Sequence, residues 1–322
     1  MEEIITTETE KLLPSDFIDR LKQIIPAGLY EKVIRSFGTE KFITFRVNTG
    51  QSREVILARI TQSGLSIEEV PWFVNAFIIK NGDNLNELRN LEEEGAVYRQ
   101  GLSSLLVPVV LNPRPGEIIL DACAAPGSKT TQISQMMNNT GEILAIEGVR
   151  QRMFKLKSVI QLQGAGNIKT VLMDARKYRA QGLAFDKILV DAPCSSEGRF
   201  DPSDKKSFAY WSLRKIREMR KKQKGILLNA ARWLKPGGLL VYSTCTFAPE
   251  ENEQVVDWFL RKEKGRFFAE RISTAEFTRV DTYPAVERWG ELTFSPEVSN
   301  CLRILPDDFM NGFFIAKLRR AA

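Results

Sequence analysis

The sequence predicts an α/β protein: a Rossmann-like, doubly wound domain over 96–322 behind a small N-terminal α/β domain over 1–95. Three observations predict it. After Gly116, short apolar runs alternate with helix-length segments, the pattern of a parallel sheet covered on both faces. Turn sequences, Asn112-Pro-Arg-Pro-Gly116 and Lys235-Pro-Gly-Gly238, punctuate the alternation. Asp121, Glu147, Asp174, Asp191 and Cys245 each end or follow an expected strand, and sheets of this kind bind ligands outside the carboxyl ends of their strands.

The elements follow in order. Leu12–Phe37 reads as helical, with Phe17, Leu21, Ile24 and Ile25 on one face. Phe42–Val47 is an expected strand, Val55–Ser63 a helix and Trp72–Ile79 a strand, which together make the small unit ending near Glu94. Glu117–Cys123 is an apolar strand, and Ala124-Ala-Pro-Gly127 turns it into a helix. Glu142–Ile146 is a second strand of this domain, followed by a helix over Arg150–Gln163. Lys169–Met173 and Lys187–Val190 are the third and fourth strands. A long basic helix covers Trp211–Trp233, a fifth strand Leu239–Tyr242, a helix Pro249–Leu260 and a late strand Phe313–Ala316.

Composition narrows the chemistry. The chain has 322 residues, 43% hydrophobic and 27% charged, enough for a full core. No run approaches the ~18–20 apolar residues that span a bilayer, and acidic, polar Met1–Glu10 is not a signal peptide. A cytoplasmic protein without membrane association is therefore expected, and a monomer. There is no histidine, which excludes Ser-His-Asp and Cys-His catalysis and histidine-ligated metals. Cys123, Cys194, Cys245 and Cys301 form no C-x-x-C pair, so no metal is expected and free thiols remain. A net charge of +6 agrees with a polyanionic partner.

The first turn of the larger domain, Asp121-Ala-Cys-Ala-Ala-Pro-Gly-Ser-Lys129, lacks the glycines of both the phosphate loop and the dinucleotide fingerprint. A nucleoside without phosphates fits it better, and S-adenosylmethionine is such a ligand. Glu147, at the end of the second strand, is placed to accept hydrogen bonds from ribose hydroxyls. Asp174, ending the third, is placed for the adenine edge.

These motifs, with Asp191-Ala-Pro-Cys-Ser195, Tyr242-Ser-Thr-Cys-Thr246, Pro249-Glu-Glu-Asn252 and Gly312-Phe-Phe-Ile-Ala316, resemble the Nop/Sun family of RNA cytosine-5 methyltransferases. Upstream, Phe45-Arg-Val-Asn-Thr49 and Tyr98-Arg-Gln100 also look familial, so the likeness runs from about Thr44 to Lys317. The resemblance implies S-adenosylmethionine as cofactor, held by Cys123, Ala124, Ala125, Pro126, Gly127, Ser128, Lys129, Glu147, Arg152, Asp174 and Asp191. It implies Cys245 as nucleophile and Cys194 as the residue assisting product release. The chain departs from the pattern at Ser128 (commonly Gly), at Glu147 (commonly Asp) and at Ser196-Glu-Gly198, which replaces a Gly-Thr-Gly-like stretch. Glu197 is expected to alter the RNA-facing loop, and a histidine common before the last strand is absent.

The chemistry explains the residue types. Carbon 5 of cytosine is a poor nucleophile until a thiolate adds to carbon 6, and cysteine supplies that thiolate near neutral pH. Asp191 is expected at ring N3, either as a protonated acid or as a carboxylate facing a protonated base. A helix N-terminus near Pro249, with Lys129 in support, is expected to lower the pKa of Cys245. Arg199–Lys224 carries ten basic residues together with Phe200, Phe208, Tyr210 and Trp211, to bind phosphates and stack on unpaired bases. The expected partner is RNA, tRNA favoured and rRNA the alternative. A DNA cytosine-5 methyltransferase and a non-catalytic RNA-binding or ribosome-assembly factor are rival readings, disfavoured by Thr244-Cys245-Thr246 and by the intact Cys194, Cys245 and Asp191.

Overall fold

Pro26 divides the expected N-terminal helix in two. The computed structural model describes residues 8–82, 84–180 and 182–322, so Met1–Thr7 of the acidic start lies outside the described residues. Helix α1 spans Ser15–Ile24 and α2 Ala27–Phe37, with Ile25 extended before the proline, as the ring requires. Phe17, Leu21 and Ile24 of α1 pack with Val33, Ile34 and Phe37 of α2, and the pair is buried against Phe200, Phe247 and Leu305 of the larger unit.

The next segment folds as an antiparallel sheet, in order β2 (Ser66–Glu69), β3 (Ala76–Asn81), β1 (Thr44–Val47) and β4 (Val97–Arg99). Helices α3 (Arg53–Gln62) and α4 (Asn86–Glu93) cover it through Ile56, Ile60, Leu88 and Leu91, packed on Phe45 and Phe77. Its last strand lies past the expected boundary at residue 95. Arg46, fully buried on β1, fastens this sheet to the larger unit. Its guanidinium donates to Gln100 Oε1 (3.0 Å), Thr131 Oγ1 (2.6 Å), Gln163 Oε1 (3.3 Å) and Gln135 Oε1, all neutral oxygens.

α5 (Leu102–Leu111) has no counterpart among the expected elements. It is apolar on every side and buried, so it carries no amphipathic period to read. Asn112, in the left-handed conformation, ends it before Pro113.

The central sheet runs in the order β7 (Ile168–Leu172), β6 (Glu142–Glu147), β5 (Ile118–Asp121), β8 (Phe185–Asp191), β9 (Leu234–Thr244), β15 (Phe313–Arg320), β14 (Leu302–Ile304) and β11 (Thr282–Tyr283). β7 to β9 are parallel, as expected; β15, β14 and β11 are antiparallel, so the sheet is mixed rather than wholly parallel. β10 (Phe267–Glu270) pairs with the end of β15.

The inner parallel strands are buried on both faces, while β7 at the edge is half-exposed. On β6, Leu144 and Ile146 join the core under α8 (Leu213–Ala231) and α9 (Glu253–Lys262), whereas Ile143 joins the one under α5 and α6 (Ser128–Met136). α7 (Arg150–Leu162) packs on Ala124, Ala125 and Ala145. The expected turn at Lys235–Gly238 lies inside β9 as a bulge: Phe185 pairs with Leu234, and Lys187 already with Leu239. No helix among the described residues is long and apolar enough to cross a membrane.

Candidate active site

The crossover from β5 runs through α6 to β6 on one side, and that from β8 runs through α8 to β9 on the other. The cleft between them is the switch point of the sheet. It holds a cavity of about 510 Å³, inside the range usual for small-molecule sites. Cys123–Pro126, Ser128, Lys129, Glu147, Arg152, Asp174 and Asp191 line it, and so do Cys194 and Cys245. Gly127, expected to hold cofactor, does not line it. It adopts φ +116°, and a Cβ there would come within 3.1 Å of Leu156 and 3.2 Å of Val159 on α7. This glycine turns the loop into α6 against α7.

Glu147 ends β6 with its side chain 4% exposed. Val149 N donates to its Oε1 at 2.8 Å, and Arg152 lies 3.2 Å from its Oε2 while also donating to the Ala125 carbonyl. Asp174 caps the 3₁₀ turn Ala175–Lys177, and the Arg176 side chain holds its carboxyl below the usual range. Two carboxylates at consecutive strand ends, with no glycine cradle for a pyrophosphate, fit S-adenosylmethionine. Glu147→Ala should weaken binding of that cofactor about ten- to a hundredfold, the worth of hydrogen bonds to a charged group. Calorimetric titration reads this directly, and unchanged affinity would remove Glu147 from the site.

Asp191 is the last residue of β8. Lys129 Nζ pairs with its Oδ2 at 2.7 Å, and Ser243 Oγ donates to its Oδ1 at 2.7 Å. Lys129 thus pairs with Asp191 rather than with Cys245.

β8 and β9 run side by side with Asp191 opposite Ser243, so the loops leaving them bring Cys194 and Cys245 together. Their sulfurs lie 3.3 Å apart. The hydrogen bond with Cys194 lowers the pKa of Cys245 against burial, with help from the Arg199 charge and from Ser196, 3.6 Å from Cys245 Sγ. That same contact, burial and the nearby Glu251 push Cys194 well up. The helix expected to open near Pro249 opens at Glu253. Cys301 is buried in apolar core.

In the loop after Cys194, Glu197 is buried. Its Oε1 accepts from Trp211 Nε1 (2.8 Å), and its Oε2 from Thr246 Oγ1 (2.8 Å) and Phe247 N (3.0 Å). It therefore ties the two cysteine loops to each other. A Cβ on Gly198 would stand 2.2 Å from Gly312 O, so only glycine fits that crossing. Phe200, Phe208 and Trp211 pack around Phe17 instead of presenting faces to bases; Tyr210, 89% exposed, remains free to stack. Arg199 and Lys222 line the cavity, and Lys205, Lys206, Arg214, Arg217 and Lys221 are exposed. Arg220 bonds Gln254, and Lys224 covers the Trp258 ring.

Glu251 and Gln223 had no expected role. Gln223 Nε2 donates to Pro193 O (2.9 Å) and to Glu251 Oε2 (2.7 Å), which also accepts from Ser195 N (3.0 Å). The pair pins the peptide groups on both sides of Cys194. Glu251 lies inside the quoted Pro249-Glu-Glu-Asn252 motif, but only the fold reveals its target. Its Oε1 is buried without a hydrogen-bond partner, and burial raises its pKa to about 8. The folded state thus keeps a proton that the unfolded chain releases near 4.5, so this group's contribution to stability falls as pH rises from there to about 8. Glu251→Gln lacks that loss. Its melting temperature should gain on the native protein between pH 5 and about 8.5, and parallel melting curves across that range would contradict the assignment.

A family model described as 16S rRNA methyltransferase RsmB/F matches residues 108–319. The chain belongs to this family. A tRNA (cytosine(49)-C(5))-methyltransferase of Pyrococcus abyssi is 37% identical over 283 residues, covering 86% of this chain and 88% of the relative. Ribosomal RNA small subunit methyltransferase F of Aeromonas hydrophila is 35% identical, and there the chain spans 96% of itself but only 64% of the relative. Among solved structures, a methyltransferase homolog from Pyrococcus horikoshii superposes with a TM-score of 0.82 at 29% identity, covering 98% of both chains. NSun6 from Pyrococcus horikoshii, solved with the S-adenosylmethionine analogue SFG, gives 0.80 at 25% identity, covering 97% of this chain and 100% of the other. The Nop/Sun resemblance read from the motifs holds, and the protein is an RNA methyltransferase that uses S-adenosylmethionine.

Proposed function

We infer that this methyltransferase modifies carbon 5 of cytosine in RNA through a covalent bond between Cys245 and carbon 6, with tRNA as substrate. The observation that carries the reading is the sulfur pair, 3.3 Å apart at neighbouring strand ends in the wall of the cavity that Glu147 and Asp174 line. Bound S-adenosylmethionine supplies an electrophilic methyl group on a sulfonium centre. Glu147 takes the ribose hydroxyls and Asp174 the adenine edge. The Cys245 thiolate adds to carbon 6, and the electron density delivered to the ring meets the Lys129–Asp191 pair. Carbon 5 is then nucleophilic enough to accept the methyl. The carbon-5 proton passes to a water that the Cys194 thiol holds in place, and Cys245 leaves as thiolate.

The tRNA assignment is supported by the 37% identical relative named for tRNA. Purified protein is to be incubated with cofactor and with tRNA or 16S rRNA transcripts, followed by bisulfite sequencing. Methylcytosine confined to tRNA supports the assignment; methylcytosine confined to rRNA moves the substrate and keeps the chemistry.

RNA is held by the exposed basic groups beside the cavity and by the N-terminal unit. Phosphate contacts release counterions, so binding should weaken steeply with salt. Combined Lys205→Glu, Lys206→Glu and Lys221→Glu should lower RNA affinity about tenfold or more and flatten the salt slope. A slope identical to native, read by filter binding across a salt series, would place the footprint elsewhere.

A further inference from the structure

Ser196 is one of the few residues other than glycine with positive φ, at φ +61° and ψ +28°. A side chain in that region is costly, and such outliers concentrate where function holds them. The position belongs to the stretch where the family commonly carries a Gly-Thr-Gly-like sequence, and a glycine would sit there without strain. The serine brings a hydroxyl to the wall of the cavity. With Cys245 as a thiol, its Sγ donates to Ser196 Oγ at 3.6 Å, and the serine hydroxyl donates to the Cys194 carbonyl at 3.5 Å, with Cys194 Sγ 3.9 Å away; once Cys245 loses its proton, only the serine can supply a proton to that contact. One hydroxyl proton serves one acceptor at a time, and an anionic sulfur is the strongest acceptor of the three.

We propose that Ser196 is an additional catalytic contact of this chain, donating its hydroxyl to the Cys245 thiolate and so raising the fraction of nucleophile ready at neutral pH. The proposal rests on Cys245 being the nucleophile. The other groups around that sulfur are the Cys194 thiol from the loop after β8, the Arg199 guanidinium from the 3₁₀ turn Glu197–Arg199, and Asp191, itself paired with Lys129 from α6. Of these, Arg199 favours the thiolate by charge, Asp191 opposes it, and Cys194 shares a proton with it. The hydroxyl adds a directed donor that a glycine lacks.

Two variants separate the hydroxyl from the backbone. Ser196→Ala removes the donor and keeps a side chain in the left-handed conformation. Ser196→Gly removes the donor and relieves that conformation, which favours a folded protein. Two pH profiles are to be read for each: single-turnover adduct formation on RNA in the presence of cofactor, and iodoacetamide alkylation of Cys245 located by mass spectrometry. Both variants should move the midpoint up by about one pH unit, a tenfold loss of thiolate at neutral pH. Their rates should rejoin the native rate in alkaline buffer. Native midpoints in both variants would overturn the proposal. A shift in Ser196→Ala alone, with Ser196→Gly native-like, would also overturn it by assigning the effect to the backbone. Cys245→Ala is the control: an adduct formed without Cys245 would defeat the underlying reading, whereas loss of adduct there with unshifted serine variants would defeat only the role of Ser196.

Discussion

Cys245→Ala will yield neither methylated RNA nor a covalent protein–RNA species. The rate should fall at least about 10⁴-fold, as when a nucleophile is deleted from an enzyme that works through a covalent intermediate. Cys194 will not replace it, although its sulfur is only 3.3 Å away. Attack needs the reacting atoms about 3–3.5 Å apart and aligned, and a displacement of that size carries the second sulfur out of reach of the same ring carbon. Cys194 is also the thiol whose pKa is held high by burial and by Glu251, so little thiolate is present on it. The two loops are further locked to each other by Glu197, and the backbone around Cys194 by Gln223 and Glu251, which leaves no slack for it to swing across. Methylation retained within tenfold of native in Cys245→Ala would refute the assignment.

Cys194→Ala should have the opposite signature. Cys245 keeps Arg199 and Ser196 beside it, so addition to carbon 6 and methyl transfer proceed, but no water is held to take the carbon-5 proton. The protein then stays bonded to its product. On a denaturing gel after incubation with RNA and cofactor, a retarded band should appear for Cys194→Ala and vanish in the Cys194→Ala/Cys245→Ala double variant. Loss of the hydrogen bond from Cys194 also slows the first step, because that contact is the largest influence lowering the pKa of Cys245; the band should therefore build more slowly at pH 7 than at pH 9. The arrangement of DNA cytosine-5 methyltransferases predicts the reverse, with Cys194 forming the bond. A stalled adduct in Cys245→Ala would establish that order instead.

The parallel half of the sheet was legible because its inner strands are short runs buried on both faces, as Ile143–Ile146 is, and because polar residues mark the strand ends. α5 was not, since a helix apolar on all sides has no period. β2 escaped because Ser66-Ile-Glu-Glu69 is mostly polar and not buried, and β4 because a three-residue strand carries too little pattern. At the site, the sequence brought Cys194, Cys245, Asp191 and Glu147 to one crevice, since all follow or end strands of a single sheet. It did not show the partners that come from other elements: Lys129 pairs with Asp191, Glu197 accepts from Trp211, and Gly127 packs against α7. Glu251 shows the limit most sharply: its motif is visible in the chain, but its targets, Ser195 and Gln223, come from the loop after β8 and from α8.

The seam around Arg46 bears on how the protein is made. The N-terminal sheet leaves the ribosome before α6 and α7 exist, and until they do, one of its faces has no partner. That face is polar only in part: Arg46, Asn48 and Gln100 meet Thr131, Gln135 and Gln163, where water can stand in for the missing partners, whereas Ala76 and Ile78 beside them pack into the apolar core with α5. A greasy seam would leave the half-made chain prone to clump with its neighbours. A guanidinium answered only by neutral oxygens, costly once enclosed, holds water at its own part of the seam until the rest of the molecule arrives.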